Sequence, residues 1–231
     1  MDPECRESLQ TNFTKAVKGY HLIHEDPIKD TQWESINAQI LKAIGCEVTY
    51  ESKGSHKSGL DIQCSFGALS NKSAKYECNH SMMKISSYRL TTVCSNKNHG
   101  DISDILAEIK RRKNFKYYSI VVRKEEPLEF IYDWYLLPAD LTLMDPSTYE
   151  WRLLYGKRGD KKDQVKGWET NKMEGCSMSI NFDMSSQLWM NIGISPSIRE
   201  HLVSTCRVSR DPKYNFISFY ENEENIIKTT I

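Results

Sequence analysis

Two runs constrain the fold more than any other part of the chain. "FKYYSIVVRK" (115–124) and "LEFIYDWYLLP" (128–138) are dense in β-branched and aromatic residues, and only the acidic turn "EEP" separates them. Such runs read as two strands joined by a turn. Ahead of them, "HGDISDILAEIKRRKN" is helical: Ile102, Ile105, Leu106 and Ile109 form one face and basic residues close the last turn. A further helix is predicted over about 31–44, where Trp33, Ile36, Asn37, Ile40 and Ile44 follow three/four spacing and Gly45 stops the pattern. Asp30 or Thr31 can cap it, and Thr31-x-x-Glu34 has capping-box spacing.

Short strands are expected at "CEVTYES", "EWRLLYG", "SMSINFD", "SQLWMNIGI" and "YNFISFYE", while "SMMKISSYRLTTVC" is compatible with strand or helix. Helix, strands, helix, strands in this order predicts an α/β (α+β) domain with a mixed central sheet flanked by helices. The 231 residues suffice for one sizeable core, and residues 1–231 read as a single domain with a joint at Asp145-Pro146.

Hydrophobic content of 39% and charged content of 27% fit a folded chain. No apolar run approaches the ~20 residues that span a bilayer. The start, "MDPECRESLQTNF", has no apolar stretch of a secretory signal, so an intracellular (cytoplasmic) location is expected. Seven cysteines with no CxxC pair read as reduced, mostly buried thiols. There is no P-loop and no GxGxxG, hence no expected nucleotide cofactor, and no HExxH or hydrolase triad. Lys and Arg balance Asp and Glu at 31 each, which argues against a simple polycation. The charge is nevertheless segregated: residues 151–172 hold seven Lys/Arg against three Asp/Glu.

The chemistry-bearing stretch is "GLDIQCSFGALSNKSAKYE" (59–77), which reads as a hairpin around Gly67. If it turns near Phe66 and Gly67, Asp61 and Lys72 take opposed positions, and Ser70 shares the face of Lys72. A longer turn brings Ser73 and Lys75 there instead, with Glu77 on the same face.

An Asp, a hairpin and then (Asp/Glu)-x-Lys is the pattern of PD-(D/E)xK nucleases, and over roughly residues 31–137 the element order resembles that of type II restriction endonucleases. Two positions depart from the pattern: Leu60 replaces the proline, and Ser70 (or Ser73) stands where the family usually has a carboxylate. The resemblance implies a restriction-endonuclease-like fold and a Mg2+-dependent, sequence-specific double-stranded DNA endonuclease acting as a homodimer. It implies that Asp61 binds magnesium, that Lys72 or Lys75 activates the attacking water, and that Glu34 or Glu77 supplies the missing carboxylate. Arg89 is then a phosphate contact, and Lys157, Arg158, Lys161, Lys162 and Lys166 form a basic DNA-binding loop, with residues 145–231 serving recognition and dimerisation. Ser185, Ser186 and Gln187 have base-reading chemistry, whereas Leu188, Trp189 and Met190 read as core.

Plainer readings stand beside these. Asp61 can be a strand-edge carboxylate bonded to His56 or Lys57, Glu34 a capping-box residue, Lys72 and Lys75 edge lysines, and the 151–172 run a solvated loop. A structure-specific or repair nuclease and a non-catalytic nucleic-acid-binding protein are the rival functions.

Overall fold

The strand Gly67–Glu77 (β3) organises the sheet. A computed structural model describes it together with residues 3–51, 59–94, 101–157 and 162–221. On one edge β3 runs parallel to β5 (Tyr117–Glu125), from Leu69↔Tyr117 to Lys75↔Arg123. On the other edge it meets two antiparallel partners in turn. These are β2 (Ile62–Cys64) along Gly67–Leu69 and β4 (Met82–Arg89) at Tyr76 and Glu77. Between them that edge of β3 carries no strand among the described residues.

Two half-sheets fork from this point. One continues through β5 and β6 (Glu129–Pro138) to β11 (Leu202–Ser209), with β1 (Val48–Glu51) added outside β2. The other runs from β4 through β10 (Gln187–Gly193), β9 (Ser177–Asn181) and β8 (Val165–Thr170) to β7 (Trp151–Tyr155). The result is the expected mixed sheet flanked by helices. The two β-prone runs pair antiparallel from Tyr117↔Pro138 to Glu125↔Phe130. Both faces of β5 are covered: Tyr118, Ile120 and Val122 lie in one core and Val121 in the other. This explains its continuous apolar character.

The first core lies between the two half-sheets and α4 (Ile102–Arg112), whose Ile105 and Ile109 are buried. It contains residues from both sides of Asp145, so the expected joint does not divide the packing. The second core lies between the sheet and the helices α1 (Pro3–His21) and α2 (Asp30–Ala43). At its centre Phe13, Trp33 and Trp134 meet with ring centroids 5.5–6.0 Å apart. Helix α1 was not anticipated, although Leu9, Phe13, Val17 and His21 recur every four residues along its buried seam.

Other expectations are corrected. The ambiguous segment is strand β4 followed by the short helix α3 (Thr91–Cys94). "VKGWET" is the inner strand β8 rather than loop, and "YNFISFYE" turns helical from Phe216 instead of forming a strand. Gly167 on β8 passes so close to β9 that a Cβ there would lie 1.8 Å from the carbonyl oxygen of Ile180. A second short helix, α5 (Pro196–Arg199), leads into β11. All seven cysteines are free, and Cys64, Cys94, Cys176 and Cys206 are buried. Among the described residues no helix is long and apolar enough to cross a membrane.

Candidate active site

Helix α2 is fixed to the sheet by buried polar contacts. Trp33 Nε1 donates to the Ser119 carbonyl at 3.0 Å. Asn37 Nδ2 donates to Asn71 Oδ1 at 2.6 Å and to Ser119 Oγ at 3.0 Å, and Trp134 Nε1 donates to the same hydroxyl at 2.9 Å. These groups tie α2, β3, β5 and β6 together in a region where an unpaired polar atom is costly.

The expected capping box does not form. The N-cap is Lys29, with no side-chain cap bond, so Thr31 lies inside the helix and Glu34 is not a box partner. Asp30 turns away from its own helix: its Oδ1 accepts the backbone N–H of Ser73 on β3 at 2.6 Å.

The hairpin turns one residue earlier than the expected Phe66 and Gly67. Ser65 and Phe66 form the turn, and the register is Cys64↔Gly67, Gln63↔Ala68 and Ile62↔Leu69. Asp61 therefore stands opposite Ser70 and not Lys72, and its N–H bonds to the Leu69 carbonyl at 2.9 Å. Because the shift is two residues, side-chain parity survives, and the three residues still converge. Asp61 Oδ2 accepts the Asn71 N–H at 2.6 Å and the Ser70 hydroxyl at 3.3 Å, and Lys72 Nζ lies 3.8 Å from it. Lys72 Nζ also donates to the Asn71 carbonyl at 2.8 Å. Burial pushes the Asp61 carboxyl above its ordinary value, with Lys72, the Asn71 amide and Ser70 opposing and Asp30 adding to the rise. Only 13% of the Asp61 side chain and 19% of the Lys72 side chain are exposed.

Asp61 and Glu34 line one small cleft of about 140 Å³, with Thr31, Ser35, Ile62 and Glu51. Glu51, at the end of β1, was not foreseen as a cleft residue; it pairs there with Lys42 of α2. The alternation of Val48 and Tyr50 in "CEVTYES" marked a strand but gave no sign of which end would reach the hairpin.

The donors of this cleft suit a hard cation. They are all oxygens, as magnesium requires, and that ion keeps several waters and needs only one or two carboxylates. The Asn71 and Ser70 hydrogen bonds to the Asp61 carboxylate both fall on Oδ2. Among the described residues no three His, Cys, Asp or Glu side chains are grouped to hold a metal by themselves. Asp61 and Glu34 are the carboxylates of this cleft that could hold such an ion, with water and phosphate oxygens completing its shell.

Other predicted residues lie elsewhere. Lys75 is three residues from Lys72, so it projects from the opposite face of β3, where it pairs with Glu125 at 3.5 Å. Glu77 is exposed at the far end of β3, opposite Met82, and does not join the Asp61 cleft. Arg89 is exposed at the other end of β4, opposite Gln187, and so is well away from Glu77. Lys157 and Lys162 are exposed between β7 and β8, and Lys166 lies on β8 itself; Arg158, Lys161, His56 and Lys57 fall outside the described residues.

Trp168 packs against the first core. Ser186 is buried, its carbonyl accepting the Leu90 N–H at 3.0 Å. Leu188 and Met190 are core as expected, but Trp189 points the other way, under the ammonium of Lys84 at 4.8 Å. That outer face carries a larger groove of about 620 Å³, lined in part by Arg152, Glu169, Lys172, Ser179 and Asn191.

No family model, curated protein or solved structure matches this chain.

Proposed function

We propose that the protein is a Mg2+-dependent DNA endonuclease of the PD-(D/E)xK type, cutting both strands as a homodimer inside the cell. The observation that carries this reading is the meeting of Asp61, Ser70 and Lys72 on the hairpin, with Lys72 Nζ 3.8 Å from the carboxylate and Glu34 across the same cleft. The order of α2, the β1–β2–β3 meander, α4 and a β5 parallel to β3 agrees with the element order of the resemblance.

In this reading Asp61 and Glu34 hold the ion. Bound magnesium would engage the scissile phosphate and lower the pKa of a water. Lys72, already pointing at Asp61, orients the attacking water and offsets charge on the pentavalent phosphate. Ser70 stands at the position of the missing acid and steadies Asp61 by hydrogen bonding. Lys75 has no part in the chemistry, since it lies on the other face.

The test is incubation with plasmid DNA and magnesium for wild type, Asp61→Ala and Lys72→Ala. Discrete fragments, lost by roughly a hundredfold or more in both variants, support the proposal. Cleavage undiminished by Asp61→Ala overturns the site. Random nicking favours a repair-type nuclease, and binding without cutting favours a non-catalytic nucleic-acid-binding protein.

A further inference from the structure

We propose that Asp30 is a positioning residue for the cleft, an inference that rests on the nuclease reading above. Its place at the start of α2 suggests a helix cap, yet the cap bond is absent and the carboxylate reaches across 43 positions of sequence to the Ser73 amide. Ser73 lies two residues beyond Asn71, and amides two apart on a strand point to the same edge. That edge is the stretch of β3 between β2 and β4 that carries no strand among the described residues. Asp30 thus grips β3 one repeat beyond the point gripped by Asp61, and each bond is 2.6 Å long.

The consequence concerns Glu34. It lies four residues after Asp30, one helical turn along the same side of α2. Trp33 and Asn37 anchor α2 to β5 and to the side chain of Asn71, on the buried face of the sheet. Neither reaches the backbone edge of β3. Asp30 alone among these anchors fixes the first turn of α2 to that edge. It therefore sets the roll of the helix and the separation of Glu34 from Asp61. Displacement of a reacting group by about 1 Å costs on the order of a hundredfold in rate.

The experiment measures kcat and KM on a duplex substrate with magnesium, well below the melting temperature, for wild type, Asp30→Ala, Asp30→Asn and Lys75→Ala. Asp30→Asn keeps an oxygen acceptor for the Ser73 amide. The expected result is a fall of about 10- to 100-fold in kcat for Asp30→Ala. Its KM should change little, kcat should be largely restored in Asp30→Asn, and Lys75→Ala should match wild type. In parallel, amide exchange should rise at Ser73 in Asp30→Ala and stay slow in Asp30→Asn, a readout independent of cleavage. If the wild type cuts and Asp30→Ala cuts as fast, Asp30 is not a positioning residue while the nuclease reading stands. If Asp30→Asn is as impaired as Asp30→Ala, the charge and not the hydrogen bond matters, and the proposal is likewise overturned. A wild type that never cuts removes the nuclease reading, and the catalytic part of this inference with it.

Discussion

Asp61 and Asp30 hold alternate amides of one strand: Oδ2 of Asp61 accepts the Asn71 N–H and Oδ1 of Asp30 accepts the Ser73 N–H, both at 2.6 Å. Two carboxylates, helped by the Lys72 bond to the Asn71 carbonyl, do here what a neighbouring strand would otherwise do. Charged groups at an edge that carries no strand among the described residues also discourage pairing with another chain. The same atoms thus serve the sheet and the proposed chemistry, and the two roles separate under mutation.

Asp61→Asn is the variant that separates them. The Asp61 carboxyl has a raised pKa in the folded chain, so its stabilising contribution is present at low pH and is lost as pH rises through the folded value. At neutral pH the charge is held at a cost. Asp61→Asn keeps an acceptor for the Asn71 amide and removes that charge, so it should melt at or above the wild-type temperature while cleavage disappears. Asp61→Ala should lose about 1–3 kcal/mol, because the amide loses its partner. Thermal denaturation at pH 7 checks both, and an Asp61→Asn protein much less stable than wild type would contradict the account.

His21 should make folding sensitive to mild acid. It is buried between α1 and β6, with Nε2 2.9 Å from the Tyr132 hydroxyl, Nδ1 3.0 Å from the His24 carbonyl, and its ring stacked on Phe130. Burial lowers its pKa from the ordinary 6.5, outweighing the bond to His24. The unfolded chain therefore takes up the proton first. The stability is intact above that ordinary value and declines as pH falls below it, by at most about 1.4 kcal/mol per pH unit. Urea unfolding at pH 7.5 and 5.5 should show a steeper loss for wild type than for His21→Gln, and equal slopes would refute the assignment.

Asn37 should be intolerant of change. It is fully buried and supplies the hydrogen bonds to both Asn71 and Ser119. Asn37→Ala should cost about 1–3 kcal/mol through the acceptors it abandons. Asn37→Asp should cost more, since it buries a charge without a cationic partner. Denaturant unfolding gives both numbers, and the order Asp worse than Ala is the decisive feature.

A pair of glycine variants tests the close approach of β8 to β9. Gly167→Ala must separate the strands, and the loss should lie near the upper end of overpacking effects, about 3 kcal/mol. Gly19→Ala, in α1 with nothing within 4 Å of a new Cβ, should instead gain roughly 0.5–1 kcal/mol. Melting temperatures shifted in the same direction would show that steric space does not govern these sites.

How far the sequence could be read depended on whether a local period carried the information. The strands β5 and β6 were legible because both are dense in aromatic and branched apolar residues. The strand β8 was not, because "VKGWET" mixes Gly, Lys and Glu, the composition of a loop; its glycine answers to the neighbouring strand and not to a turn. In β11, "LVSTCRVS" buries Val203, Ser204, Cys206 and Val208, a sequence too small and polar to announce a strand. Helix α1 hid because its seam ends in a histidine and its other faces are polar.

The site divided in the same way. Asp61, Ser70 and Lys72 could be grouped because strand parity survives a two-residue shift of the pairing register. The same argument offered Lys75 and Glu77 as alternatives, and only the actual turn length removed them. Glu51 and the redirected carboxylate of Asp30 depend on contacts between elements distant in sequence, which no spacing rule encodes.

The contact of α1 with β11 has a consequence for synthesis. Arg6 bonds to the Leu202 carbonyl and Gln10 to the Val203 carbonyl, almost two hundred residues away. A growing chain makes this helix long before the strand beneath it. Until then the apolar seam of α1 lacks half its bed, and the edge of β6 stays open to other partners. Closure of the second core therefore waits on β11, which makes loss of that strand far more damaging than its small, polar sequence would suggest.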